Sequence, residues 1–331
     1  MIPRSSSMIR TVHVWLTGLP LAFVLFSCSL SAANPPITAM AFDPTGQTLV
    51  SGSQNAISVR QWPSLIETDS HPVEMDRILD LDFSPDGHHL LLVGGLPGVT
   101  GIWRVLSWPE LSLVASGKGH EDVIHSSAWL SDERFVTGGA DNHVLDWQLS
   151  NDATDEVGAK IVRRLVGHSR RVLSVATFDA GRRLVSAGID RSLRVWTNDV
   201  GVAAPLRVLD NHTDSVRHLT ARPGDHPTAY VASASADRSV RIWQPAIGRL
   251  VRFARLPTEP LCIAWTADGN YIGAGCIDGK IRIINADTVE VEQTLPALNG
   301  WIYSVVASKD DSFAVAGSNG EVVRVQPAFV H

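Results

Sequence analysis

The chain has 331 residues, 44% of them hydrophobic and 19% charged, which is enough apolar surface for a large core and excludes a disordered protein. Its formal charge of −6, from 28 Lys plus Arg against 34 Asp plus Glu, gives no overall electrostatic case for coating nucleic acid or anionic lipid. The three cysteines, Cys28, Cys262 and Cys276, show no CxxC or Cys/His spacing, which excludes structural zinc, iron–sulfur clusters and a disulfide scaffold.

In chain order the first feature is a leader. No charged residue lies between Arg10 and Asp43, and residues 14–26 form an apolar run behind a stub carrying Arg4 and Arg10, the shape of a secretory signal peptide. The run is too short for a spanning helix and is broken by Gly18 and Pro20. Two cleavage points are readable. Ser31-Ala32-Ala33 suits an ordinary signal peptidase, whereas Leu25-Phe26-Ser27-Cys28 looks like a bacterial lipobox that makes Cys28 the lipidated N-terminus, with Phe26 departing from the usual small residue. The leader is therefore residues 1–33, and the expected location is periplasmic or extracellular, with a lipid anchor at Cys28 in the second case and a cytoplasmic protein with a misread N-terminus as the alternative.

Residues 34–331 repeat with a period of about 40 to 50 residues. Seven units are read: 37–70, 78–117, 120–166, 168–210, 212–256, 260–296 and 301–331. Aligning them places Trp62, Trp103, Trp147, Trp196, Trp243, Ile284 and Val325 at one strand-ending position. Each unit reads as three period-two strands joined by Pro/Asp/Gly/Asn turns, then a variable connector into a fourth strand. No stretch after the leader has helical periodicity. A four-stranded antiparallel unit repeated seven times predicts an all-β, seven-bladed β-propeller.

At these residues the chain resembles the WD40-repeat family. The resemblance rests on the Trp-ended strands, the Ser84-Pro85-Asp86-Gly87 turn with its looser copy Ala267-Asp268-Gly269, and the Gly-His pairs at 119–120 and 167–168. It implies a buried chain of hydrogen bonds in each complete blade: a Trp indole to a Ser/Thr hydroxyl, the hydroxyl to a His, and the His to an Asp in the turn between the second and third strands. Three units match: His120, Thr137, Asp141 and Trp147; His168, Ser186, Asp190 and Trp196; His212, Ser233, Asp237 and Trp243. A Ser/His/Asp set is also the composition of a hydrolase triad, but three tandem copies with Trp in register point to a repeated structural lock. The other units depart from it. Unit one has Ser51 and Trp62 without a His, unit two has Val93 and Pro97 at the Ser and Asp positions, unit six keeps Asp278 and unit seven has Asn319. Neither end of the chain supplies a full strand beyond the last unit, so blade seven is expected to be the least stable, with a short outer edge.

In this family the connectors on one rim usually face partners. The residues expected just before each first strand are Pro36, Arg77, Val123, Arg171, Ser215, Glu259 and Trp301; Arg170, Arg191 and Arg238 from neighbouring loops extend a basic arc. Arg and Trp are favoured interface anchors, so Arg77, Arg170, Arg171, Arg191, Arg238, Glu259 and Trp301 are the candidate partner-binding residues. Nine Lys/Arg lie between Lys160 and Arg194, but Arg182 and Arg183 fall on the opposite rim and Arg163 and Arg164 on an outer strand, so they form a solvated surface and no nucleic-acid groove. Cys262 and Cys276 become cross-strand neighbours only if the turn at 267–270 is bulged; otherwise they are two buried thiols. His88-His89 point to opposite faces, which disfavours a metal site. No GxSxG, phosphate-cradling loop, paired catalytic acids or cofactor fingerprint is present. The expectation is a non-catalytic scaffold without cofactor, binding a protein or peptide. The alternative is an extracytoplasmic propeller enzyme, lactonase-like or quinoprotein-like, with its site at the central opening.

Overall fold

The computed structural model describes residues 34–150, 158–224 and 228–329. The leader, both cleavage points and Cys28 lie outside the described residues.

Seven antiparallel sheets follow one another in chain order. Blade one holds Ala39–Phe42 (β1), Thr48–Gly52 (β2), Ala56–Gln61 (β3) and Glu67–Pro72 (β4), and blade two holds Ile78–Phe83 (β5), His89–Leu96 (β6), Thr100–Ser107 (β7) and Leu113–Lys118 (β8). Blade three holds Ile124–Ser131 (β9), Arg134–Gly139 (β10), Val144–Leu149 (β11) and Ala159–Leu165 (β12); blade four holds Val172–Phe178 (β13), Arg183–Gly188 (β14), Leu193–Thr197 (β15) and Arg207–Leu209 (β16). Blade five holds Val216–Ala221 (β17), Val231–Ser235 (β18), Ser239–Gln244 (β19) and Arg249–Arg255 (β20); blade six holds Pro260–Trp265 (β21), Tyr271–Cys276 (β22), Lys280–Asn285 (β23) and Val291–Pro296 (β24). Blade seven has three strands, Ile302–Ala307 (β25), Phe313–Gly317 (β26) and Val322–Val325 (β27). The first strand of each blade touches the first strand of the next, and β25 touches β1, so the sheets close into a seven-bladed propeller. The one helical piece among the described residues is a single turn at Pro245–Ile247, and no helix there is long and apolar enough to cross a membrane.

The core lies between blades. Val136, Val144 and Leu165 of blade three pack on Val172, Val175, Leu184 and Trp196 of blade four, and similar clusters fill the other seams. Inner strands have one unpaired edge, whose N–H groups need other acceptors. A side chain of the preceding blade supplies them: Ser127 N donates to Asp80 Oδ2 at 2.8 Å, Val175 N to Ser126 Oγ at 3.2 Å, Leu219 N to Ser174 Oγ at 2.9 Å and Ile263 N to His218 Nδ1 at 3.4 Å. This belt ties blades two to six around the opening.

The seam between blades seven and one is smaller. Ile37, Met40 and Leu49 meet Ala314 and Ala316, Ile37 N donates to Gly317 O at 3.1 Å, Lys309 Nζ donates to Pro44 O at 2.7 Å, and the Arg324 guanidinium lies 5.6 Å from the Trp62 ring centre. Beyond β27 the chain crosses to blade six, where Gln293 and Ala328 exchange two hydrogen bonds and Phe329 packs 4.5 Å from Tyr271.

Strand register corrects the alignment of the first two units. The lock tryptophans stand opposite the residue two before the hydroxyl, as in Phe135↔Trp147, Leu184↔Trp196 and Val231↔Trp243. In blade one that position is Arg60, opposite Leu49, and in blade two it is Leu106, opposite Leu90, with Leu92 in the hydroxyl place where Val93 was expected. Trp62 and Trp103 are therefore not lock residues, and the indole N–H of each is buried without a partner. Trp62 instead has a twin in Trp108. Each follows the third strand of its blade, precedes a Pro, and meets an inner-strand Phe edge-on, Phe42 at 4.9 Å and Phe83 at 5.1 Å.

Candidate functional site

Blades three, four and five each contain the complete hydrogen-bonded chain. Trp147 Nε1 donates to Thr137 Oγ1 at 2.9 Å, the hydroxyl lies 2.8 Å from His120 Nε2, and His120 Nδ1 lies 2.8 Å from Asp141. The same distances in blade four, from Trp196 through Ser186 and His168 to Asp190, are 2.8, 2.7 and 2.8 Å; in blade five, from Trp243 through Ser233 and His212 to Asp237, they are 2.8, 2.7 and 2.7 Å. Because the Asp only accepts, each His donates from Nδ1, and a hydroxyl that accepts from the indole has its own proton to offer Nε2. Main-chain N–H groups complete the aspartates: Glu121 and His143 on Asp141, Ser169 and Ser192 on Asp190, Thr213 and Ser239 on Asp237. Burial opposes ionisation of these carboxyls, but the His hydrogen bond and the N–H donors outweigh it, holding Asp141 and Asp190 down at about 2 and Asp237 lower still. Thr137, Ser186 and Ser233 are 0% exposed, so no substrate reaches these hydroxyls. The three sets are locks that fasten the turn to the strands.

In two blades without the His, an arginine holds the remaining lock residue. Arg282 grips Asp278 of blade six with two nitrogens, at 3.0 and 2.7 Å, and Arg60 of blade one donates to Ser51. In blade seven Asn319 stands at the Asp position and bonds Glu321 instead.

The turns bearing these aspartates and the starts of the inner strands share one rim. Arg77, Arg170, Arg171, Arg191 and Arg238 are exposed there and make no ion pair among the described residues. Arg191 and Arg238 hold left-handed backbone, at φ 67° and 62°, at the turn position occupied by Asn142, Gly279 and Gly320 in blades three, six and seven. Trp301 is 53% exposed and meets Tyr303 edge-on, with ring centres 6.3 Å apart. Glu259 is paired with Arg217 at 2.8 Å. One expectation is corrected. The residue before the first strand of blade one is Thr38, because β1 begins at Ala39; Pro36 lies further back.

The basic run from Lys160 to Arg194 also differs from expectation at Arg163, which is 4% exposed and not solvated. Its Nε and Nη2 bind Asp146 at 3.0 and 2.8 Å, and its Nη1 donates to the carbonyls of Thr197, at the end of β15, and of Asp199 and Val202 in the long connector that follows. Arg134 binds the same carboxylate with two nitrogens, at 2.8 and 2.6 Å. Asp146 is fully buried. On the other rim, Arg182 pairs with Asp179 at 2.7 Å.

Sequence reading named the central opening as an alternative site but not the residues that line it. A cavity of about 440 Å³ is lined by the inner strands, among them Asp80, Asp82, His125, His218 and Tyr303. Burial pushes the Asp80 carboxyl up to about 6 and, with the neighbouring charge of Asp80, the Asp82 carboxyl up to about 8. Burial pushes His125 and His218 down to about 4, so both imidazoles are neutral near pH 7. The available signal was the alternation Leu79-Asp80-Leu81-Asp82: equivalent positions in the other units carry Ala, Ser, His, Thr, Cys or Val. Among the described residues no three His, Cys, Asp or Glu come together as a metal site. Cys262 and Cys276 are free, buried thiols. The bulge lies at the start of β21, not in the turn, and Cys262 pairs with Gly275, which leaves the two cysteines one register step apart.

Comparison with known proteins agrees with this geometry. The family model for "WD domain, G-beta repeat" matches residues 25–59, 111–145, 159–197, 203–244 and 257–285, more than half of the chain. It passes over the region of β5 to β7, where leucines replace the lock, and over blade seven. Among curated proteins the chain is 25% identical over 185 residues to Protein HIR1 of Phaeosphaeria nodorum, covering 53% of this chain and 17% of that protein. It is 31% identical over 125 residues to THO complex subunit 3 of Arabidopsis thaliana, covering 37% and 39%, and 24% identical over 259 residues to Protein FIZZY-RELATED 3 of Arabidopsis thaliana, covering 77% and 50%. The chain thus spans half or less of the length of these relatives. With five matched repeats and three complete locks on a seven-bladed ring, the chain belongs to the WD40-repeat family.

Proposed function

We propose that this propeller is a non-catalytic scaffold that binds a protein or peptide through the rim carrying Arg77, Arg170, Arg171, Arg191, Arg238 and Trp301. The observation that carries the reading is the pair Arg191 and Arg238. Left-handed backbone costs a non-glycine residue roughly 1 kcal/mol, and three other blades meet the same turn with Asn or Gly. An arginine there is not chosen by the turn, and its guanidinium is left free on the rim. The relatives support a scaffold role in so far as one of them is named as a subunit of a complex. A partner presenting acidic and apolar residues complements this rim, with Trp301 as the aromatic anchor.

After recovery of a partner by pull-down from the envelope fraction, Trp301→Ala is expected to weaken binding more than any single Arg→Ala, while Arg77→Ala, Arg171→Ala and Arg191→Ala flatten the salt dependence. Affinities at two salt concentrations decide this. Unchanged binding in all four, with loss on changing Arg182 and Arg183, would assign the partner to the opposite rim.

The leader adds a location to the proposal: export, with loss of the first 27 or 33 residues. Intact-mass measurement of the native protein is expected to find a chain starting at Cys28 or Asn34. A cytosolic chain retaining Met1 or Met8 sinks the proposal, and unchanged membrane partitioning of Cys28→Ser sinks the lipid anchor.

A further inference from the structure

Asp80 and Asp82 lie two residues apart on β5 and both line the central cavity. Both reach the unpaired edge of the neighbouring inner strand: Asp80 accepts from Ser127 N at 2.8 Å and Asp82 from Trp129 N at 3.2 Å. The main chain of Asp82 is held as well, its carbonyl accepting from Trp129 Nε1 at 3.1 Å. The two carboxyls therefore carry much of the polar contact between blades two and three.

Among the described residues no cation pairs with them. Among the described residues lining the cavity there is no Lys or Arg. The titratable groups that face the pair are few. β1 offers none over Ala39–Phe42, β6 offers His89, which stacks on Trp129 at 6.2 Å, and β9 offers His125. Across the opening stand His218 on β17, Cys262 on β21 and Tyr303 on β25. Arg217 is taken by Glu259, and Arg171 acts on Asp122 and His125 from the rim. Two adjacent carboxylates with neutral imidazoles and no countercharge do not both ionise readily, and the pair titrates in two separated steps.

We propose that Asp80 and Asp82 form a proton-linked latch: at neutral pH the pair keeps one proton, and losing it loosens the seam between blades two and three. The carboxyl shifts given above agree with this. A carboxyl raised above its unfolded value near 3.9 binds more protons folded than unfolded, so stability falls as pH rises from about 4 through the folded value. The latch is tightest in mild acid.

The test uses the full chain. Melting points of the parent, Asp82→Asn and Asp80→Asn are compared from about pH 5 to about pH 9, together with the infrared band of a protonated carboxyl at neutral pH. The parent is expected to lose about 4 °C or more over that range, Asp82→Asn to lose most of this slope, and the protonated-carboxyl band to vanish in Asp82→Asn. If Asp82→Asn does not fold, the slope of Asp80→Asn and the band in the parent decide the matter. A parent without the band, or the same slope in the parent and in each folded variant, overturns the proposal.

Discussion

Asp146→Ala is expected to cost about 3 to 5 kcal/mol of folding stability, the largest effect of any single charge change in this protein. The carboxylate is fully buried between Arg134 and Arg163, and it receives four hydrogen bonds of 2.6 to 3.0 Å from their guanidinium nitrogens. Removing it leaves two cations facing each other, one of them 4% exposed. The damage spreads, because Arg163 also holds the carbonyl at the end of β15 and two in the connector that leads to the three-residue strand β16. Chemical denaturation of the variant against the parent measures the loss. A change below about 1 kcal/mol would mean that the triad contributes geometry without energy, and replacing all three residues by Leu or Met separates the two cases, since a well-packed apolar substitute for a buried ion cluster is often neutral.

The second large effect is expected in the lock of blade four. Trp196 is 0% exposed, packs in the seam with blade three and donates to Ser186. Trp196→Ala should cost about 3 to 5 kcal/mol, and His168→Ala, which orphans Ser186 and Asp190 without a comparable cavity, about 1 to 3 kcal/mol. The locks also set the acid limit. Asp141, Asp190 and Asp237 have folded values held below the unfolded one, so their contribution is present above about pH 4 and is lost as pH falls through about 2. Acid titration of the melting point in the parent and in Asp190→Asn tests this: the variant should lose part of the acid limb. Variants that melt with the parent would show that the locks are ornaments of a fold held by its apolar seams.

Much of this was legible in the repeats. Period-two strands, the turn residues and the spacing of Ser186, Asp190 and Trp196 are local features, and they led to the ring and to three locks. The failures arose where a residue's meaning depends on a neighbour distant in sequence. Trp62 looked like a lock residue because it ends a strand-like run, yet Pro63 follows it, and the register of β2 on β3 gives the place to Arg60. Arg163 reads as a surface residue on an outer strand until the connector of the next blade folds over it. Asp80 and Asp82 belong to no rim turn; they lie in the interior of a first strand, and the first strands line the opening. The expectation of a short outer edge on blade seven rested on counting the residues that follow the last unit; among the described residues that blade has three strands.

The seam between blades seven and one also bears on how fast the ring forms. Neighbouring blades meet through residues near in sequence, as when Asp86 N bonds Asp132 across 46 positions, whereas Lys309 reaches Pro44 across 265. Loop closure grows with the logarithm of length, so the long closure costs only about 1.5 kcal/mol more than a short one. A small patch of Ala, Ile and Met is enough to offset that difference once the rest is built. The rate is another matter, since contacts of this separation form late and dominate the slow end of folding. Blades three to five, with their locks and short closures, are expected to form first and β25 to join β1 last, which would leave the inner edges of the terminal blades open to other chains until the ring closes.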